Sequence, residues 1–136
     1  MQRQAAGAHT PEELATRFED AFIIRDPGGL AELFDEHAVL SPRGPDIDVR
    51  GSEEIGRFAA AHWEADRNYL AQVRRVVQAG DTAAVVVDWS LVGPASSYGT
   101  DERGRGVDVL HRGSDGAWRY VISLLDVCEQ PRGKQR

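Results

Sequence analysis

Two aspartates stand where aspartates are rarely placed. Asp88 lies in the middle of Thr82–Val92 (TAAVVVDWSLV), the most strand-like stretch of the chain, and Asp108 lies between two valines in Gly106–Arg112 (GVDVLHR). A charge inside an apolar strand is costly unless it is paired or faces water. If both acids face one poorly solvated cavity, they cannot both ionise cheaply. One is then raised and holds its proton beside the other, which has lost it. A donor next to an acceptor suits double-bond shift, aldol cyclisation, dehydration or epoxide opening. In the alternative, each acid accepts hydrogen bonds from Ser, Tyr or Arg in a polar patch of a sheet.

Alternation along a strand puts Val86, Asp88 and Ser90 on one face and Val85, Val87, Trp89 and Leu91 on the other. With the acids turned to the cavity, the valine–tryptophan face is expected to leave water by sheet-to-sheet pairing, and so to make a homodimer. Phe18, Phe22, Phe58 and Trp63 recur at helical spacing and are expected to be core that also lines an apolar pocket. Ser41, His62, Tyr69, Ser90 and Ser123 are the polar candidates for orienting a substrate. His62 could relay a proton, although a histidine near a helix C-terminus is also favoured by the dipole. Tyr98 falls in a Gly/Ser-rich link and could serve as part of a lid. His111 is three residues from Asp108 and alternates away from its face. Cys128 reads as a small buried hydrophobe.

The elements that must hold these residues follow from periodicity and turn chemistry. Thr10-Pro11-Glu12-Glu13 opens a first helix with a capping box, and Leu14, Phe18, Ala21 and Phe22 form its apolar stripe. Asp26-Pro27 starts a short second helix that buries Leu30, Leu33 and Phe34. Ala38–Ser41 and Ile47–Arg50 are short strands. Gly51–Glu54 opens a third helix with acids in its first turn. Then the period changes from helical to extended. Tyr69–Ala79, Thr82–Val92, Gly106–Arg112 and Trp118–Val127 are the long strands, with a hairpin at Gly80-Asp81 and a turn at Asp115-Gly116. Gly93–Arg105 is expected to be a mobile link. Helices followed by a strand meander give an α+β fold. One domain over residues 10–128 is expected, with flexible tails at 1–9 and 129–136.

The chain has 136 residues, a formal charge of −6 and four scattered histidines. An acidic chain without a basic stripe argues against a nucleic-acid partner. No apolar run nears the roughly 20 residues that span a bilayer, so no membrane association is expected. No metal-ligand spacing occurs. A lone cysteine and the absence of a secretory signal fit the cytoplasm.

Several passages resemble one superfamily: Glu13–Ile24, Leu33-Phe34-Asp35-Glu36-His37-Ala38-Val39-Leu40, Arg50-Gly51-Ser52-Glu53-Glu54-Ile55, and the ending from Gly106 through Asp115-Gly116 to Ile122. They resemble the cystatin-like cone of nuclear transport factor 2 and ketosteroid isomerase, and within it the SnoaL-like and DUF4440 group. The resemblance implies three N-terminal helices on a curved, mainly antiparallel sheet of four long strands plus short ones. It implies a cofactor-free cyclase or isomerase of bacterial natural-product biosynthesis, acting on an apolar, polyketide-like substrate. Related members are non-catalytic binders of hydrophobic intermediates, epoxide-hydrolase-type hydrolases, or partner subunits that use the convex sheet face. Residue by residue, Phe18 stands where the isomerase has its helix-1 tyrosine, Ser41 where it has its base, and Asp108 where it has its protonated acid. Asp88 falls on the first aspartate of the epoxide hydrolases, whose arginine and second aspartate fall on Val86 and Ser123. Neither set carries over whole, so the pocket is of its own kind, and the two strand acids, Asp88 and Asp108, are the expected catalytic pair.

Overall fold

A computed structural model describes residues 7–42, 48–61, 67–93 and 102–127. Helix α1 (Pro11–Ile23) starts at Thr10, whose Oγ1 accepts from the Glu13 N–H at 3.1 Å. Glu13 reaches back to the His9 N–H rather than to that of Thr10, so the capping box is shifted by one residue. Helix α2 (Pro27–Ala31) is capped by Asp26, which accepts from the Gly29 N–H at 3.0 Å. Strands β1 (Phe34–Ser41) and β2 (Val49–Arg50) and helix α3 (Ser52–Ala60) follow. The long strands are β3 (Asn68–Ala79), β4 (Thr82–Val92), β5 (Glu102–Arg112) and β6 (Trp118–Leu124).

The six strands form one sheet in the order β2-β1-β6-β5-β4-β3. Every neighbouring pair is antiparallel except β1 with β6, which is parallel. Helix α1 lies along β3, and α3 covers β1 and β2. β3 is an edge strand, and α1 ties to it through Glu19, whose carboxylate accepts from the Ala71 N–H at 2.6 Å. The core fills the space between the helices and one sheet face, with Phe22, Leu14, Leu30, Ile55, Leu110 and Trp118 the largest fully buried side chains. The expected α+β architecture is thus present, three helices on a curved and mostly antiparallel sheet.

Several expectations are corrected. On β4 the buried positions are Ala83, Val85, Val87, Trp89 and Leu91, while Asp88 and Ser90 face outward. The inward and outward faces are therefore the reverse of those expected. Burying two valines, a tryptophan and a leucine outweighs any placement that buries an acid and a serine instead. The link Gly93–Arg105 is shorter than expected, because β5 already runs from Glu102, with Arg103 opposite Ser90 and Arg105 opposite Asp88. β1 starts at Phe34 rather than Ala38 and β6 ends at Leu124 rather than Val127. Ala8 is fully buried and its carbonyl accepts from the Trp118 N–H at 2.9 Å, so the expected N-terminal tail is fastened to β6 by residue 8. Gly80 takes a positive φ of 62° in the β3–β4 hairpin, as a two-residue turn of this kind requires. No helix among the described residues is long and apolar enough to cross a membrane.

Candidate functional site

Asp108 is the acid that faces the core. It pairs in register with Val85 of β4 and Ser123 of β6, both inward positions. It is 9% exposed, and the Ser123 hydroxyl donates to its Oδ1 at 2.7 Å. Ser123 and Tyr120 are three residues apart and would ordinarily face opposite ways. A register shift in the β5–β6 pairing, between Leu110↔Tyr120 and Val109↔Ile122, lets both point inward.

Around this carboxyl lies a cavity of about 60 Å³, lined by Phe18 and Phe22 of α1, Phe34 and Leu40 of β1, Phe58 and Ala59 of α3, and Tyr69, Trp89, Leu91, Asp108, Tyr120, Ser123 and Leu125. Phe18 sits at the centre of the ring cluster. Its centroid is 4.9 Å from that of Tyr69 and 6.1 Å from those of Phe34 and Tyr120, each met edge-on. Such edge contacts fix the rings more firmly than area burial alone. One wall is Trp89. Its Nε1–H donates to the Leu125 carbonyl at 2.6 Å, and its indole lies over Gly104, where a Cβ would come within 2.9 Å of Cζ2.

Burial pushes the Asp108 carboxyl up to about 7, against the opposing pull of the Ser123 hydroxyl. Few water dipoles reach it to stabilise the charged form. Burial likewise raises the Tyr69 and Tyr120 hydroxyls, and the nearby Asp108 carboxyl adds to both shifts. Near neutrality Asp108 is therefore poised between acid and base, and both tyrosines are neutral donors.

Asp88 lives in the opposite environment. Arg105, directly across on β5, donates to it from Nε at 2.8 Å and from a terminal nitrogen at 3.3 Å. A bulge in β3 at Val73/Arg75 releases Arg74 to the same face, with its Nε 3.3 Å from Asp88. The Arg105 hydrogen bond holds the Asp88 carboxyl below the usual range, with charge attraction from both arginines adding to it. Asp88 and Ser90 border an outer groove of about 780 Å³ with Leu70, Gln72, Arg103 and Arg105. That groove is larger than the inner cavity, but it is open to solvent and its acid is already neutralised.

The structure thus brings together Asp108, Ser123, Phe18, Phe22, Phe58 and Tyr69, and separates Asp88 and Ser90 from them. Ser41 ends β1 opposite Leu124 and is not among the residues that line the cavity. His62, Trp63, Tyr98 and Cys128 lie outside the described residues. Among the described residues no group of three or more His, Cys, Asp or Glu could hold a metal ion.

The profile of the SnoaL-like domain matches residues 15–121. The chain belongs to the SnoaL-like domain family. No curated protein matches it in sequence. Solved structures share the fold. A function-unknown protein from Mycobacterium tuberculosis is 20% identical, with a TM-score of 0.72 over 88% of this chain and 76% of that one. A cystatin-like protein related to nuclear transport factor 2, from Novosphingobium aromaticivorans, is 19% identical, with a TM-score of 0.71 over 91% and 85%. A ketosteroid isomerase-like protein from Erwinia carotovora atroseptica is 18% identical, with a TM-score of 0.65 over 83% and 89%.

For a SnoaL-like chain, the position of Asp108 was open to sequence reasoning through the family resemblance. Tyr120 and Trp89 were missed as lining residues. The register shift that turns Tyr120 inward along with Ser123 leaves no mark in the alternation of residue types. Trp89 was legible: a tryptophan flanked by Val87 and Leu91 at strand spacing is the face that burial selects.

Proposed function

We propose that the inner cavity binds a small, largely apolar molecule and that Asp108 moves a proton on it. The observation that carries this is the buried carboxyl with a single hydroxyl partner, raised to about 7, inside an aromatic pocket. In its ionised form the carboxylate takes a proton from a carbon next to a carbonyl. In its neutral form it returns a proton, to the same carbon or to another along a conjugated system. This is general acid/base chemistry of the cyclase and isomerase type, with one carboxyl in both roles. Phe18, Phe22 and Phe58 supply apolar contact, and Ser123 orients the carboxyl. A volume of about 60 Å³ seats only a few heavy atoms, so a polyketide-sized substrate requires Phe18 and Phe58 to give way.

The test is deuterium uptake at the α-carbon of small ketones such as cyclopentenone, in heavy water, followed by NMR. The parent chain is expected to exceed the buffer background. Asp108→Asn should fall to background, and Asp88→Asn should match the parent, because Asp88 is on the far side of the sheet. An unchanged rate in Asp108→Asn removes the acid/base reading.

A non-catalytic binder is the second reading. The observation that favours it is that only one of the two aspartates faces the cavity, which leaves Asp108 without an acidic partner. Ligand binding with no deuterium uptake by the parent would select it.

We also propose a homodimer through the outer sheet face. Outward positions on four adjacent strands carry Val77, Ala84, Val86, Val107, Val109, Ile122 and Leu124, in two rows of cross-strand neighbours. Val77, Ile122 and Leu124 are 52%, 38% and 37% exposed. The outer face of an antiparallel sheet that meets water is ordinarily polar. Sedimentation equilibrium is expected to give twice the chain mass, and Val107→Glu with Ile122→Glu should halve it while the circular dichroism stays unchanged. A monomeric parent would end this proposal.

A further inference from the structure

The inner cavity is not sealed evenly. Most of its lining residues are buried, whereas Phe18, Phe58, Tyr69 and Leu125 are half-buried and so form its rim. On one side that rim is the seam between α1 and β3. Phe18 of α1 meets Tyr69 of β3 edge-on, with centroids 4.9 Å apart. One residue further along the helix, Glu19 accepts from the N–H of Ala71 at 2.6 Å. Ala71 is two residues beyond Tyr69 and shares its face of the strand. The ring contact and the hydrogen bond are therefore consecutive fastenings of one seam.

The fastenings of α1 differ in how readily they open. β3 is the last strand of the sheet, and the Ala71 N–H points away from β4 toward Glu19. Both groups are only partly buried, so water replaces their bond when it breaks and no buried polar group is stranded. Elsewhere the helix is held by apolar burial, with Leu14 fully buried and Phe22 nearly so. Parting those contacts exposes apolar surface to water. The seam at Glu19 is thus where α1 separates from the sheet most readily. A volume of about 60 Å³ behind the rim also means that a rim side chain must move for a ligand to enter.

We infer that the seam between α1 and β3 is the way into the inner cavity and that Glu19 is its latch. While the carboxylate holds the Ala71 N–H, Phe18 is kept against Tyr69 and the seam is shut. Release of the bond lets Phe18 turn off Tyr69, while Leu14 and Phe22 keep the helix docked. Glu19 is a positioning residue that acts through Phe18. The inference rests on the cavity being the ligand site, and it adds how that site is reached.

Xenon is the probe, because a single apolar atom suits a small apolar cavity. Its exchange rate and its affinity are measured by xenon NMR saturation transfer and titration on the parent, Glu19→Ala, Glu19→Gln and Thr10→Ala. Glu19→Ala is expected to exchange xenon on the order of tenfold faster with little change in affinity, the range of one hydrogen bond to a charged group. Glu19→Gln keeps an oxygen that can accept from Ala71 and should restore most of the slow exchange. Thr10→Ala removes the cap at the far end of α1, which weakens the helix without touching the seam, and should match the parent. Glu19→Asp, one methylene short of Ala71, gives the same reading should the alanine variant fail to fold. Equal acceleration in Thr10→Ala would mean that any loosening of α1 opens the cavity, and overturns the latch. An exchange rate that the loss of Glu19 leaves unchanged overturns it too, as does the absence of xenon exchange in every variant. Faster exchange in Glu19→Ala, with no deuterium uptake from ketones by the parent, supports the latch and removes proton transfer. Deuterium uptake by the parent, with xenon exchange unaltered in Glu19→Ala, removes the latch and leaves proton transfer standing.

Discussion

At pH 8.5 the Asp108→Asn variant is expected to be more stable than the parent chain by on the order of 4 kcal/mol. The amide keeps the shape of the carboxyl and can still accept from Ser123, but it has no charge to bury. In the folded chain the Asp108 carboxyl is raised from 3.8 to about 7. The folded state therefore holds the proton over a range where the unfolded state has released it, and stability falls as pH rises. Below 3.8 both states are protonated and parent and variant should differ little. Between 3.8 and about 7 the parent progressively loses stability, and above 7 the whole penalty is present. Urea unfolding of both chains at pH 4, 5.5, 7 and 8.5 measures this directly. A difference that does not change with pH would show that Asp108 is not desolvated in the folded chain. The same substitution should abolish proton transfer, so one change is expected to strengthen the fold while removing its chemistry. Groups held at a cost to stability are concentrated at functional sites, and this is the physical reason to look for function at Asp108 rather than at Asp88.

The contrast between the two aspartates also shows what was legible in the sequence. Element types were readable from caps and periods: Thr10 before Pro11, Asp26 before Pro27, and the change to alternation at Tyr69. Which face of β4 turns inward is also readable, because burying Trp89 and Leu91 outweighs burying an acid in the same run. Asp88 is at home there because Arg105 lies directly opposite and Arg74 arrives through a bulge. Neither pairing could be read without the register. Gly93–Arg105 resembles a loop by composition, yet its last residues are strand, and the Asp88–Arg105 pair forms there. Tyr120 was hidden for a related reason, since a register shift breaks the alternation that would have located it. Local signals specify elements, whereas bulges and register specify which side chains meet. Those depend on residues far apart in the chain.

Trp89→Ala is expected to destabilise the chain by about 3–5 kcal/mol, the range for removing a buried large aromatic side chain. The indole is 6% exposed and forms a wall of the cavity. Its loss also leaves the Leu125 carbonyl without its partner, in a segment where the Leu125 and Val127 N–H groups donate to the Ser41 and Arg105 carbonyls. Trp89→Phe separates the two contributions, because it keeps most of the ring packing and removes only the N–H donor. Its cost should be a fraction of that of alanine. Guanidinium unfolding of both variants gives the two values, and a loss under about 1 kcal/mol for alanine would mean that the neighbouring side chains collapse into the space. If they do not, the cavity grows from about 60 Å³ by most of an indole and should admit benzene-sized molecules more readily than the parent does. Stability and ligand size are then set by the same side chain. Gly104 is what allows it to lie flat against the sheet, since a Cβ there would come within 2.9 Å of the indole. A larger pocket in this fold comes at the expense of its own core, because the pocket is the part of the core that the side chains leave unfilled.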